Sequence, residues 1–171
     1  MLRIRTPSWL QAVAIAGALT ALTAAAALTI GAAAAESGTA SSPGVIVKPS
    51  AHDVATTLDR LTDVLTEKGL TVFARIDHAQ GAANVNLKLA PTELLIFGNP
   101  KAGTPLMTSR RLVGLDLPMK ALAWRDEAGK VWLAYNAPRY LADRHDIADR
   151  QKVIANMTAA LDKLTGKAVA P

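Results

Sequence analysis

The 171-residue sequence predicts an α+β domain of two layers, a curved, mainly antiparallel sheet with two long helices packed on one face. Three observations predict it. Strand-like and helix-like patterns follow one another as strand, helix, strand, broken segment, strand, short helix, hairpin, helix. Met119 to Arg125 and Lys130 to Tyr135 are separated only by Asp126-Glu127-Ala128-Gly129, and so tight a connection joins antiparallel strands. Two stretches, one ending near Lys68 and one near Leu164, repeat apolar residues every three or four positions, as a helix with one buried face does.

Residues 1–35 read as a secretory leader. Arg3 and Arg5 supply its positive end, Trp9 to Ile30 is apolar without a charge, and Ala33-Ala34-Ala35 precedes Glu36 as a small-residue cleavage site. The alternative is an uncleaved anchor, because roughly 20 apolar residues can span a bilayer. A cleaved leader makes the mature chain periplasmic or secreted, and a retained one tethers it to the membrane. Residues 36–43 form a polar, small-residue linker, residues 44–166 a single domain, and residues 167–171 a tail. With no cysteine, the chain has no disulfide, no thiolate nucleophile and no thiolate metal site. Without Arg3 and Arg5 the charge balance is 17 basic against 14 acidic residues, and the longest basic cluster is Arg110-Arg111. That excludes the clustered basic face that nucleic-acid binding requires.

Within the domain, β-branched Val45-Ile46-Val47 is the first strand, and Pro49 is expected to end it. Ser50 with Asp53 resembles a capping box. The helix that follows places Val54, Leu58, Leu61 and Leu65 on one face and stops at Gly69. Thr71 to Ile76 is a strand in which Val72, Ala74 and Ile76 share one face and Phe73 and Arg75 the other. Asp77 can cap a short helical piece. Val85, Leu87 and Leu89 alternate as an edge segment laid on the core would. Thr92 to Phe97 is the best candidate for a central, fully buried strand, and Gly98-Asn99-Pro100 ends it as a turn. Thr104-Pro105 reads as the cap and first residue of a short helix burying Leu106, Met107 and Leu112 in part. In the hairpin, Leu122 and Trp124 share a face, while Val131, Leu133 and Tyr135 lie opposite Trp132. The last helix is expected from Asp146 to Leu164, closed by Gly166.

At this point the residues resemble a known family. Phe97-Gly98-Asn99-Pro100, Lys101 to Met107, Leu117-Pro118, Trp132-Leu133-Ala134-Tyr135 and the Asp77-His78-Ala79 step resemble the domain of unknown function 302 family over residues 44–166. The resemblance implies a TATA-binding-protein-like β-α-β4-α fold and a homodimer. It implies no activity.

Few residues suggest chemistry. His52, His78 and His145 are scattered, so no metal site is expected, and no cofactor is implied. Ser109 lacks a nucleophile context, and Asp116, Asp126 and Glu127 read as solvated turn residues. No phosphate loop is present. What remains is a pocket at the end of the Thr92–Phe97 strand, where Asn99 and Lys101 could meet Tyr135 and His78 and take a small anionic or carboxylate ligand. The expected function is a non-catalytic small-ligand-binding or interaction module of the cell envelope. The alternative is an enzyme or redox accessory acting on a small anionic substrate, with His78 as acid/base and Lys101 as anion clamp.

Overall fold

The computed structural model describes residues 42–171, so the leader and all but the end of the linker lie outside the described residues. Five strands form one sheet: β1 (Val45–Ser50), β2 (Thr71–Asp77), β3 (Thr92–Gly98), β4 (Met119–Arg125) and β5 (Val131–Asn136). Their spatial order is β1-β5-β4-β3-β2, and every neighbouring pair is antiparallel. β2 to β5 therefore form a meander, and β1 closes it on the far edge. The helices are α1 (Val54–Glu67), α2 (His78–Ala83), α3 (Pro100–Ser109), α4 (Pro138–Arg144) and α5 (Gln151–Val169), with a 3₁₀ turn at Arg111–Leu115. The two-layer α+β architecture expected from the sequence is the one observed.

The core lies between the sheet and the two long helices. α1 contributes Val54, Leu58, Leu61 and Leu65, all nearly or fully buried, and α5 contributes Leu161, Leu164 and Ala168. They meet Leu95, Phe97, Met119, Ala121, Leu133 and Tyr135 from the sheet. A second cluster under α3 and α4 joins Leu106, Val113, Ala142, Ile147 and Ile154. Burying each Val, Leu, Ile, Phe or Met side chain among them stabilises the fold by about 1.5–3 kcal/mol before entropy is counted.

Several local features differ from those that the sequence predicts. Pro49 does not end β1, because β1 pairs only with β5 and an edge strand can spare an amide. Asp53, not Ser50, caps α1, its carboxylate accepting the Thr56 amide at 2.7 Å. Ser50 bonds the Thr57 hydroxyl instead. Asn99, not Thr104, caps α3, and Pro100 takes the first-turn position, so Pro105 falls inside the helix. Of two capping pairs in one stretch, the earlier prevails because Asn99 directly follows the strand end. Val85, Leu87 and Leu89 are not laid on the core; they are exposed by 63%, 66% and 49%. Leu112 is likewise exposed. β3 is not the middle strand, since β4 occupies the centre, and only alternate residues Leu95 and Phe97 are fully buried. α5 begins at Gln151 rather than Asp146, and passes Gly166 to reach Val169. The expected tail is thus partly core, with Ala168 fully buried. Arg60 of α1 holds this end, donating to the carbonyls of Lys167, Ala168 and Ala170.

The largest difference lies in β2. Its register shifts between Val72 and Ala74, so Phe73 is bulged and the alternation inverts beyond it. Val72 pairs with Phe97 and Arg75 with Leu95, which places both on the helix side. Arg75 there bonds Glu93 and Asp59 of α1. Burial opposes its charge, but the two carboxylates outweigh that and raise its pKa.

Candidate functional site

The end of β3 is where chain direction and helix start coincide. Gly98 leaves the sheet, and Asn99 turns its side chain back to accept the Lys101 amide at 2.9 Å. α3 then rises over the sheet and packs towards α5. Its far end is latched there, with Ser109 Oγ 2.5 Å from Asp149 Oδ1 and Arg150 Nε donating to the Pro105 carbonyl at 3.1 Å. The Ser109 hydroxyl bond is the main cause that holds the Asp149 carboxyl below the usual carboxylate range.

Beside the first half of α3 lies a groove with two lobes. They share Gly98, Asn99, Ala102, Met119 and Met157. One lobe, about 230 Å³, lies towards Phe73, Gly103, Met107, Leu117 and Pro118. The other, about 340 Å³, lies towards α5, with Leu70, Phe97, Leu161 and Leu164 as walls and Lys101 and Asn156 among its polar residues. The second lobe reaches the size range of small-molecule sites. No carboxylate lines either lobe. No carboxylate of the described residues pairs with the Lys101 ammonium.

Of the four residues expected to form one polar cluster, Asn99 and Lys101 meet at this groove and the other two do not. His78 follows Asp77, which pairs with Glu93 at the beginning of β3, whereas Asn99 follows its end. Six residues of strand at ~3.4 Å each separate the two by about 20 Å. His78 is exposed there as the first residue of α2, with Asp77 as the cap. Tyr135 pairs with Ala121 and Ile46, and its side chain is 6% exposed within the main core. The cluster fails because antiparallel pairing sends the end of β2 to the beginning of β3. An acid/base His78 working with a Lys101 clamp on one substrate loses its geometry for the same reason.

One pair escaped the sequence altogether. His145 Nε2 lies 2.6 Å from Asp116 Oδ2, with their side chains 9% and 14% exposed. Arg144 Nη1 approaches the other carboxylate oxygen at 3.4 Å. Asp116 is therefore not a solvated turn residue. It is pinned to the end of α4, 29 positions away, and no local pattern announces a contact of that separation. The pin holds the loop whose next two residues, Leu117 and Pro118, wall the smaller lobe. Among the described residues no group of three His, Asp or Glu side chains is arranged to hold a metal ion.

Known proteins resemble this chain at two levels. The model of the family described as "Domain of unknown function DUF302" matches residues 46–164. A solved structure, that of an uncharacterized conserved protein DUF302 from Bacillus stearothermophilus, superposes with a TM-score of 0.68, covering 74% of this chain and 99% of that one at 17% identity. At that identity the likeness speaks for the fold alone. Two curated relatives are each 50% identical over 104 residues. They are the fluoride-specific ion channel FluC 1 of Brucella suis biovar 1 and the fluoride-specific ion channel FluC 1 of Brucella abortus biovar 1. The match covers 61% of this chain but only 41% and 38% of those proteins, so the chain spans about two fifths of their length. A 104-residue match is longer than the 41 residues that precede the described domain, so it reaches into that domain. No helix of the described residues is long and apolar enough to cross a membrane.

Proposed function

We propose, from the premise that this chain belongs to the DUF302 family, that it is a non-catalytic ligand-binding module of the cell envelope. Its site is the groove at the end of β3, and its ligand carries a negative charge held beside Lys101. The observation that carries this reading is the placement of Lys101, Asn99 and Asn156 on a mostly apolar groove lined by no carboxylate. A lone ammonium over apolar walls attracts an anion and gives a cation nothing to bind. Export rests on the leader-like residues 1–35. The Brucella relatives are named as channels for the fluoride anion, a name with which an anionic ligand agrees.

The same reading includes a homodimer through the sheet face turned away from the helices. On that face one apolar row, Ile76-Leu94-Leu122-Ala134-Val47, runs unbroken across all five strands. Trp124 and Trp132 pair beside it. Both long helices pack on the opposite face. A second copy presenting the same row would cover it.

Native mass spectrometry of the mature protein, gently purified from the envelope fraction, tests both parts. The expected spectrum contains a dimer with a retained small mass that Lys101→Ala loses. A monomer without added mass in both proteins would overturn the reading.

A further inference from the structure

We infer that the ligand of the larger lobe is amphipathic: a single-chain alkyl carboxylate whose head lies at Lys101 and whose tail lies between α3 and α5. The inference rests on the binding reading above and names the ligand's chemical class. A small inorganic anion would use the ammonium but leave the walls unmatched. Leu70, Phe97, Leu161 and Leu164 present hydrocarbon to that lobe, and water held against it is released only by an apolar occupant. Asn156 and Asn99 add neutral polar groups without a competing negative charge.

Three features set the occupant's form. Lys101 is exposed, so its ammonium stays in water while its stem extends the apolar surface. The head group is therefore held where it remains partly solvated, which avoids burying an anion. Met119 and Met157 belong to both lobes, and flexible thioethers adapt to a chain of changing shape better than branched side chains do. The lobe is about 340 Å³, or roughly eleven water volumes, which suits one short alkyl chain and excludes a two-chain lipid.

The experiment is isothermal titration of the mature protein, freed of bound material, with acetate, hexanoate, octanoate and decanoate, and with octanol. Affinity is expected to rise by up to roughly fourfold for each added methylene until the lobe is full. Octanol should bind more weakly than octanoate, and Lys101→Gln should bring octanoate down to the octanol level. Leu161→Asn, which makes the tail wall polar, should flatten the chain-length series; circular dichroism checks that this variant is folded, and Ala160→Gln blocks the lobe from an exposed position if it is not. Binding of acetate as tight as octanoate, still dependent on Lys101, would overturn the amphipathic class while leaving an anion site intact. No binding of any carboxylate would overturn both. Attachment to phosphatidylglycerol vesicles without binding of monomeric decanoate would overturn the single-chain ligand in favour of a membrane surface.

Discussion

His145 and Asp116 lie 2.6 Å apart and tie the end of α4 to the loop before β4. Both side chains are mostly buried, so neither can turn to water if its partner is lost. Asp116→Asn weakens the charge-assisted contact, and His145→Ala leaves a carboxylate short of one donor. Each is expected to cost about 1.5–3 kcal/mol, the range for hydrogen bonds to charged groups. Urea unfolding should move to a lower midpoint at an unchanged slope. An unmoved midpoint in both variants would mean that the His145–Asp116 contact does not stabilise the fold.

Gly44 supports a sharper prediction. Its φ is +78°, and a Cβ there would lie 2.2 Å from the Tyr140 ring. Gly69 has a similar φ of +69°, yet a Cβ there meets nothing within 4 Å. Gly69→Ala should cost about 1–2 kcal/mol, the backbone penalty alone. Gly44→Ala should cost that plus about 1–3 kcal/mol of overpacking. Tyr140→Ala in the same chain should recover the overpacking part only, and a thermodynamic cycle of the four proteins reads the difference.

Arg60 is expected to govern the end of α5. It donates to three carbonyls that an α-helix leaves unpaired at its end, as arginine near a helix C-terminus can. Arg60→Ala should lower stability by about 1 kcal/mol and speed amide exchange in the last turn of α5 more than in α1. Equal acceleration in both helices would show a global effect instead.

Acid should act on the hairpin. Asp126 accepts the Trp132 indole N–H at 2.7 Å and the Lys130 amide at 2.8 Å. The Trp132 bond is the first cause of a carboxyl held below its usual range. A depressed folded value means the contribution is fully present above the unfolded value, about 3.9, and is lost as pH falls through the folded one. Asp126→Asn should remove that part of the acid limb. Fluorescence of Trp132 should change in the same low-pH window in the parent protein and stay flat there in the variant.

Much of the fold was legible along the chain because the signals concerned are local. The α1 stripe of Val54, Leu58, Leu61 and Leu65, the Asp77 cap and the β4–β5 hairpin each depend on residues within a few positions of one another. Local signals failed where two of them competed, as when Asn99-Pro100 prevailed over Thr104-Pro105 as the start of α3.

The sequence by itself determined the two-layer class, the amphipathic helices, the turn that ends the strand at Gly98-Asn99 and the presence of Lys101 just beyond it. Tertiary structure alone decided the rest. It placed β4, not β3, in the centre, and it inverted β2 through the bulge at Phe73, so that Arg75 reaches α1. It sent His78 to the far end of the sheet, buried Tyr135, and joined Asp116 to His145. Periodicity records which face of an element is apolar, but strand pairing decides which ends of different elements meet. A site made at those ends is therefore written in the register of the sheet rather than in any one segment of the chain.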